Sequence, residues 1–356
     1  MFLFGPLDTD GRVLRSLTVL ERMQCKVTIL TYGSIKNFST EFIQHFDLQV
    51  KQRGAYFYFV RQCLNYAKLH DEEYDAFYCH DYYSTLIGYF LSKRTKKKII
   101  YDAHELLLPG KGQRISLRDR AFIFFEKIFI RQAYYVIAAN EERAKVIQEK
   151  YDLKNITWVL NITDAKKSDF NPEKKPYDKR KDYYMVYQGV LNEGRNLSFF
   201  VKALTVLPKN VKLIMIGGGD VEFYKKLASD LNLQSRVILT GRVSNAEMME
   251  RLKYCHLGII SYPFTTPNNI YCSPNKIFEY AALYVPMIST DQPFLEKILT
   301  KYEIGETFKE NDIENFRMAF ESLIAKEITA DKFDVFLQDY NFENEAKKLE
   351  MVINSI

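Results

Sequence analysis

The sequence predicts an α/β protein with two domains, each built around a doubly wound parallel sheet. The chain has 356 residues, more than a single hydrophobic core usually holds. Short apolar runs alternate with helical patterns, and residues 1–31 already suggest strand, loop, helix and strand. A charged stretch without periodicity, which contains Pro172 and Pro176, separates two series of such units.

The domain boundaries follow from the same patterns. We predict a first domain over residues 1–162, a linker over 163–181 and a second domain over 182–340. Five scattered cysteines without a C-x-x-C pair favour a reducing compartment. Because no apolar run of about eighteen residues occurs, we expect no membrane-spanning segment and place the protein in the cytoplasm.

Charge is distributed unevenly along the chain. Residues 1–160 contain 24 Lys and Arg against 18 Asp and Glu, or +6, and the remainder contains 26 against 27, or −1, which gives the net +5. The run 93–98 holds five cations in six positions, and the predicted helix 117–135 interleaves aromatic and basic residues. This helix is either a core helix with a solvated face or an interfacial one. The basic first half favours an acidic partner: anionic lipid, a lipid diphosphate or nucleic acid.

Polar residues follow several strands predicted in the first domain. His80 ends the strand 75–80, and His104 lies just beyond the strand 99–101. Ligands of such sheets bind at the carboxyl ends of the strands, so we expect both histidines at a site, with His80 on the acceptor side. Arg12, at the end of the first loop, is expected to face a cleft and hold an acceptor phosphate, or else to be a plain surface arginine.

The stretch 268–291 predicts an anion site in the second domain. Ser273 and Pro274 form a helix start, a hydroxyl cap followed by proline. The amides around Asn275 would then point at an anion, and Lys276 adds a positive charge. Glu279, further along the helix, could bind a diol. Such a set suits a sugar nucleotide, although a buried helix with an incidental cap would show the same pattern.

Two glycine-rich turns in the second domain add to this site. A strand ending in Gly189 leads through a loop to Arg195 and a helix, an arrangement that can hold a diphosphate. The strand 211–216 runs into a glycine cluster around Gly218, a weaker signal for nucleotide binding.

The string SPNKIFEY followed by A-x-x-V-P-x-I resembles the donor-binding segment of family-four glycosyltransferases, which have the GT-B fold. The strings DAHE at 102–105, the Gly189 loop with its arginine, and GRV at 241–243 occur in the family's order. Many relatives carry two glutamates eight positions apart in the donor segment. Glu279 matches the second, whereas Tyr271 stands at the first, which in relatives shares recognition of the donor sugar hydroxyls.

This resemblance implies a GT-B architecture of two Rossmann-like domains facing across a cleft, with the tail helix 341–356 packed back on the first domain. It also implies the roles of individual residues. His104 would position the donor sugar, Arg195 and Lys276 would neutralise the leaving diphosphate, and the turn with Arg242 and Val243 would contact the base.

The implied activity is the transfer of a sugar, with retention of configuration, from a nucleoside-diphosphate sugar such as a UDP-sugar to a glycan acceptor. We expect a lipid-linked acceptor of bacterial cell-surface polysaccharide synthesis, at the inner face of the plasma membrane. No cofactor is expected. Asp8 and Asp10 form a D-x-D string that binds metal in another glycosyltransferase fold, but we predict that they form a loop and that the enzyme needs no metal.

Two other classes of function remain open from the sequence. Sugar-nucleotide 2-epimerases share the GT-B layout, and they would form an epimeric sugar nucleotide without any acceptor. A binding or scaffolding subunit that lost its activity is compatible with Tyr271 in place of a glutamate. Nucleic-acid binding fits poorly, because the basic and aromatic segments belong to a fold with a complete donor site.

Overall fold

The computed structural model describes residues 1–49, 54–110, 112–162 and 182–356. These residues form two compact units, Met1–Asn161 with Phe342–Ile356, and Ile162–Asn341. The predicted linker 163–181 lies outside the described residues. None of the described helices combines the length and the apolar character needed to cross a bilayer.

The first unit contains a seven-stranded parallel sheet. Its strands are β1 Phe2–Leu3, β2 Val27–Thr31, β3 Ile43–Asp47, β4 Ala76–His80, β5 Lys98–Ala103, β6 Tyr135–Ala138 and β7 Ile156–Trp158, in the order β3-β2-β1-β4-β5-β6-β7. Its helices are α1 Gly11–Arg22, α2 Ala55–Leu69, α3 Thr85–Arg94, α4 Leu117–Phe129, α5 Glu141–Tyr151 and, from the end of the chain, α14 Phe342–Asn354. Strand order reverses between β1 and β4, which makes this a topological switch point.

The second unit contains a six-stranded parallel sheet. Its strands are β8 Tyr183–Gln188, β9 Val211–Ile216, β10 Val237–Gly241, β11 Leu257–Ile260, β12 Met287–Thr290 and β13 Gly305–Phe308, in the order β10-β9-β8-β11-β12-β13. Its helices are α6 Leu197–Ala203, α7 Val221–Asp230, α8 Asn245–Leu252, α9 Pro267–Ile270, α10 Lys276–Ala282, α11 Pro293–Tyr302, α12 Ile313–Ala325 and α13 Ala330–Asp339. The switch point lies between β8 and β11.

Both sheets confirm the predicted doubly wound α/β architecture. Central strands such as β5 and β9 are buried almost throughout, because helices cover parallel sheets on both faces. This explains why the strands appear in the sequence as continuous apolar runs rather than as alternating patterns.

Local sequence also explains how α1 begins. The Asp10 carboxylate accepts hydrogen bonds from the backbone N–H groups of Arg12, at 3.1 Å, and Val13, at 3.0 Å, which is an N-cap. Asp8 accepts a hydrogen bond from the N–H of Ile35 at 3.0 Å. The two aspartates of the D-x-D string therefore each support the local backbone.

The last helix belongs to the first unit. Ala346, Leu349 and Val352 of α14 pack in the same apolar core as Leu17 and Leu20 of α1. The buried Glu345 accepts a hydrogen bond from the Leu160 N–H at 2.7 Å and pairs with Lys348 at 2.7 Å. Burial of the apolar face of α14 is what keeps it on this unit, at about 25 cal/mol per Å² of apolar surface.

Candidate active site

Two cations come together at the switch point of the second unit. Lys276, the first residue of α10, places its Nζ about 3.5 Å from where a Cβ on Gly189 would lie, just past the end of β8. Arg195 lies in the turn that precedes α6, and its carbonyl accepts a hydrogen bond from the Ser261 hydroxyl at 2.7 Å, just past β11. Both cations are half-buried, and burial, followed by the neighbouring Arg195, lowers the pKa of Lys276.

Aromatic rings rather than carboxylates lie against these cations. The Arg195 guanidinium carbon lies 4.3 Å from the centroid of the Tyr262 ring. Lys276 Nζ lies 5.4 Å from the centroid of the Tyr187 ring and 5.3 Å from that of Tyr262, and it donates a hydrogen bond to the Tyr262 hydroxyl at 3.4 Å. Within the described residues, neither cation forms an ion pair with a carboxylate.

Glu279 lies one turn along α10 from Lys276. Its carboxylate accepts a hydrogen bond from the Gln188 side-chain amide at the end of β8. Burial raises the pKa of Glu279, and Lys276 and this hydrogen bond act in the opposite direction. The Gln188 side-chain oxygen is buried without a hydrogen-bond partner among the described residues. Gln188 thus fixes the carboxylate of Glu279 and leaves one acceptor of its own for a ligand.

Glycines allow the loops of this site to approach one another. A Cβ on Gly217, which has φ +149°, would lie 1.8 Å from the Gly189 carbonyl oxygen. No side chain can therefore replace Gly217 without moving the loop after β8. Gly218 lies against the exposed Arg242, whose Cγ would be 2.9 Å from an added Cβ. Gly218, Arg242 and Val243 thus lie at the ends of the neighbouring strands β9 and β10.

The start of α10 differs from the prediction. The helix begins at Lys276, its N-cap is Asn275 without a side-chain hydrogen bond, and Ser273 and Pro274 lie before it. The N–H of Ile277 already donates to the Pro274 carbonyl at 3.2 Å. The expected cap at Ser273 and first helical position at Pro274 are therefore wrong.

In the first unit, a buried ion pair lies at the carboxyl ends of the strands. Arg12 is 7% exposed, and its Nη2 lies 2.6 Å from Asp102 Oδ1 at the end of β5. Nη2 also donates to the Ala138 carbonyl at 3.3 Å, Nε donates to Asp102, and Nη1 donates to the Val159 carbonyl at 2.6 Å. Burial alone would raise the pKa of Asp102, but Arg12 and the neighbouring histidines hold it well below its usual range. Arg12 is thus not available for the acceptor phosphate predicted from the sequence, because it ties α1 to three strand ends.

Two histidines pack against Asp102. His80 Nδ1 lies 3.3 Å from His104 Nε2 and 3.5 Å from Asp102 Oδ2. His80 is fully buried, whereas the His104 side chain is 14% exposed. The acceptor-side contact predicted for His80 is therefore wrong, since only His104 reaches the surface. Burial lowers the pKa of His104 to about 4, so its ring is neutral near pH 7 and can bind a hydroxyl group.

Family comparisons identify the chain. The family model for Glycosyl transferases group 1 matches residues 167–335, and that for Glycosyltransferase Family 4 matches residues 12–167. The chain is a GT-B glycosyltransferase of the group 1 and family 4 type. The resemblance seen in the sequence is thereby confirmed. Among curated proteins, none matches the chain.

Solved structures show the same GT-B fold as this glycosyltransferase. Sucrose-phosphate synthase from Thermosynechococcus elongatus is 14% identical, with a TM-score of 0.77 over 99% of this chain and 98% of that one. HepE from Anabaena, in complex with UDP-glucose, is 14% identical, with a TM-score of 0.74 over 100% and 99%. The lipopolysaccharide outer core galactosyltransferase WaaB is 15% identical, with a TM-score of 0.73 over 99% and 98%.

Metal binding by this glycosyltransferase has one candidate place in the described part of the chain. Ligand atoms of His80, Asp102 and His104 lie within 4.8 Å of one another. Arg12 donates hydrogen bonds to both oxygens of Asp102, however. A divalent cation would have to displace the guanidinium or lie beside it, which like-charge repulsion disfavours.

One residue of the glycosyltransferase with a strained backbone lies just past β4 and was not predicted from the sequence. Asp81 follows β4 and has φ +59° and ψ +168°, a conformation that costs a residue with a side chain about 1–3 kcal/mol. Its Oδ1 is buried without a hydrogen-bond partner among the described residues. Burial, followed by Glu105 and other carboxylates, raises the pKa of Asp81 well above its usual range. The His-Asp pair at a strand end was visible in the sequence, whereas the strain was not.

Proposed function

We propose that this glycosyltransferase moves a sugar from a nucleoside-diphosphate sugar to a glycan acceptor with retention of the anomeric configuration. The observation that carries the proposal is the pair Arg195 and Lys276, two half-buried cations at a switch point beside a glycine turn. Neither forms an ion pair in the described chain, although Glu279 attracts Lys276 from one turn along α10. A diphosphate is the ligand that such a pair would favour. HepE, a neighbour in fold, was solved with UDP-glucose, which supports a UDP-sugar as donor.

The proposed chemistry is an exchange of bonds at the anomeric carbon. The bond between this carbon and the β-phosphate oxygen breaks, a bond to the acceptor oxygen forms, and the acceptor proton passes to the departing phosphate. Negative charge grows on the β-phosphate as the bond breaks. Arg195 and Lys276 would stabilise that charge in the transition state, so neither a metal ion nor a pair of flanking carboxylates is required.

Other residues of the two units take supporting roles in the proposal. Glu279, fixed by Gln188, would bind hydroxyls of the ribose or the donor sugar. The neutral His104 would accept or donate one hydrogen bond to a sugar hydroxyl. The turn with Arg242 and Val243 would contact the base.

The first unit carries exposed apolar and basic side chains on α4. On α4, Leu117 is 83% and Phe124 57% exposed, and Arg118, Arg120 and Lys127 are exposed beside them. Exposed apolar and basic side chains on one helix suit an anionic lipid surface. We propose that this face docks on the inner leaflet of the plasma membrane and brings the enzyme to a lipid-linked acceptor of cell-surface polysaccharide synthesis.

Part of the predicted basic run is already used within the protein. Lys98 Nζ lies 4.2 Å from the centroid of the Tyr134 ring and donates to the Ser355 carbonyl at 2.9 Å. Lys93 and Arg94 are exposed at the end of α3, over the rings of Tyr89 and Phe90, and in the proposal they face lipid headgroups. The docking surface therefore rests on α4 and the end of α3 rather than on the whole run.

A donor-binding and turnover assay tests the proposal. Nucleotide sugars that bind only the folded state should raise the melting temperature, and a UDP-sugar should do so most. Transfer to a lipid-linked acceptor should survive a chelator and give a product with the donor's anomeric configuration by NMR. An epimeric sugar nucleotide formed without acceptor would instead indicate an epimerase. Failure of every nucleotide sugar to bind would indicate an inactive subunit.

A further inference from the structure

Tyr262 is the residue that touches both cations of the donor site. Its ring faces the Arg195 guanidinium, with 4.3 Å from ring centroid to guanidinium carbon, and its hydroxyl accepts a hydrogen bond from Lys276 at 3.4 Å. Tyr187, by comparison, faces Lys276 alone, at 5.4 Å from its ring centroid. A single aromatic side chain thus bridges two positive groups that would otherwise repel each other.

The backbone of Tyr262 is itself held in place. It follows β11, and its carbonyl accepts a hydrogen bond from the Gln292 side-chain amide. The Gln292 oxygen in turn accepts a hydrogen bond from the Thr290 hydroxyl at 2.7 Å, at the end of the neighbouring strand β12. The preceding residue, Ser261, binds the Arg195 carbonyl. The ring is therefore presented from two adjacent strand ends rather than from a free loop.

Two half-buried cations that form no ion pair in the described chain tend to move apart into solvent when no anion is bound, and Glu279 attracts only Lys276 of the two. The negatively charged face of an aromatic ring offsets this tendency, because it attracts a guanidinium or ammonium group without neutralising it. A carboxylate in the same place would pair with the cations and compete with a phosphate. A tyrosine ring therefore keeps the pair together and leaves its charge for the ligand.

We propose that Tyr262 is a positioning residue that holds Arg195 and Lys276 as a preformed pair for the diphosphate of the donor. The inference rests on the proposed function, since it assumes that the two cations bind a diphosphate. It predicts that Tyr262 contributes to recognition of the phosphates and not of the nucleoside. The loss of affinity for a nucleoside diphosphate, compared with the loss for its nucleoside, distinguishes a positioning role from a general role in folding.

Calorimetry with UDP, GDP and ADP and with their nucleosides tests the proposal. The Tyr262→Leu variant should bind the preferred nucleoside diphosphate about tenfold more weakly, the size expected for lost cation–π contacts, while affinity for the nucleoside stays within about twofold. Tyr262→Phe retains the ring and should recover diphosphate affinity to within about threefold of the wild type. Tyr183→Leu is the matched control, because Tyr183 lies at the other end of β8, stacked on His256 with ring centroids 4.7 Å apart. It should leave both affinities unchanged.

The outcomes distinguish failure of the proposed function from failure of the role assigned to Tyr262. If the wild type binds none of the three nucleoside diphosphates, the proposed function fails and the inference fails with it. If the wild type binds one of them but Tyr262→Leu weakens the diphosphate and its nucleoside equally, or weakens neither, only the positioning role is overturned. Should Tyr262→Leu not fold, a Tyr262→Phe variant as weak as Arg195→Ala would likewise overturn the role assigned to the ring.

Discussion

Arg12 in the first unit and Lys276 in the second both lie at the carboxyl edge of a doubly wound sheet, but their surroundings differ. Arg12 donates to both oxygens of Asp102 and to two strand-end carbonyls. Lys276 has two tyrosine rings, a tyrosine hydroxyl and a second cation, Arg195, nearby. The first cation is satisfied by the protein and stabilises the fold, whereas the second forms no ion pair in the described chain and is the one that we propose binds the donor diphosphate.

Loss of Arg12 should give the largest effect and act on stability. Arg12→Ala would leave Asp102 as an unpaired buried charge, which costs about 3–5 kcal/mol. Denaturant unfolding of the variant should show that loss in the first unit. The double variant Arg12→Ala with Asp102→Asn should recover part of the lost stability, because no unpaired charge is then buried. An Arg12→Ala protein with unchanged stability would contradict the structural role given to the pair.

A buried carboxyl that forms no ion pair in the described chain, although Lys150 lies near enough to lower its pKa, can be compared with Asp102 within the first unit. Glu126 of α4 is buried and accepts a hydrogen bond from the Tyr101 hydroxyl at 2.7 Å, and burial raises its pKa to about 7 from the ordinary 4.5. Between pH 4.5 and about 7, Glu126 therefore keeps its proton in the folded state, whereas the unfolded chain has lost it. The contribution of Glu126 to the free energy of unfolding is complete below pH 4.5 and is lost as pH rises to about 7. The loss amounts to about 3 kcal/mol.

Unfolding at pH 5 and pH 8 checks this contribution. Glu126→Gln cannot ionise, so it should lose less stability than the wild type between the two pH values. Glu149→Gln, at an exposed position of α5, is the control and should follow the wild type. His104 also changes stability with pH, and because its pKa is lowered its contribution increases as pH rises. This contribution is the same in the wild type and the variants, so it cancels when their pH profiles are compared. Parallel pH profiles for Glu126→Gln and wild type would rule out the raised pKa.

The cations of the second unit should behave in the opposite way to Arg12. Arg195→Ala or Lys276→Ala should each lower turnover by about a hundredfold, the scale for loss of one preorganised group that stabilises a transition state. Stability should change little, because each change removes like-charge repulsion between the two, and Lys276→Ala also removes the attraction to Glu279. Steady-state kinetics and thermal unfolding of both variants measure the two quantities. Wild-type turnover in either variant would show that the replaced residue does not stabilise the leaving group.

Several elements of this comparison were predictable from the sequence, and the reasons are local. Buried parallel strands appear as apolar runs and the turns after them as glycine or polar residues, so the strand end that precedes His104 could be located. The helical pattern after Ser273 likewise located α10, which begins with Lys276. The partner of Arg12 could not be, because Asp102 is ninety positions away and nothing local distinguishes a buried arginine from an exposed one. Tyr262 was equally hidden, since an aromatic residue after a strand usually belongs to the core.

Glu279 tests how far the donor site depends on charge rather than shape. Glu279→Gln keeps the size of the side chain and removes the charge, and a hydrogen bond to a charged group contributes about 1.5–3 kcal/mol. Affinity for the donor sugar nucleotide should therefore fall about tenfold to a hundredfold by calorimetry. The variant Gln188→Leu, which removes the amide that fixes Glu279, should show a smaller loss in the same direction. Unchanged donor affinity in Glu279→Gln would mean that the carboxylate serves only the helix.

The smallest effect per residue is expected at the membrane surface, where the two units also differ. The first unit contains 26 Lys and Arg against 21 Asp and Glu, or +5, and residues 162–341 contain 24 against 24, or no net charge. Each basic residue near an anionic bilayer contributes about 1 kcal/mol, and salt screens it within about 8–10 Å. Liposome flotation should therefore show binding to anionic but not neutral vesicles at low salt, and this binding should be lost at high salt.

A triple variant should abolish the binding, because it reverses three charges on the exposed face of α4: Arg118, Arg120 and Lys127 are changed together to Glu. Lys202, Lys225 and Lys226, exposed in the second unit, changed in the same way should leave it intact. If the wild type stays unbound on anionic vesicles at low salt, the docking proposal fails, and a soluble acceptor would fit the enzyme better.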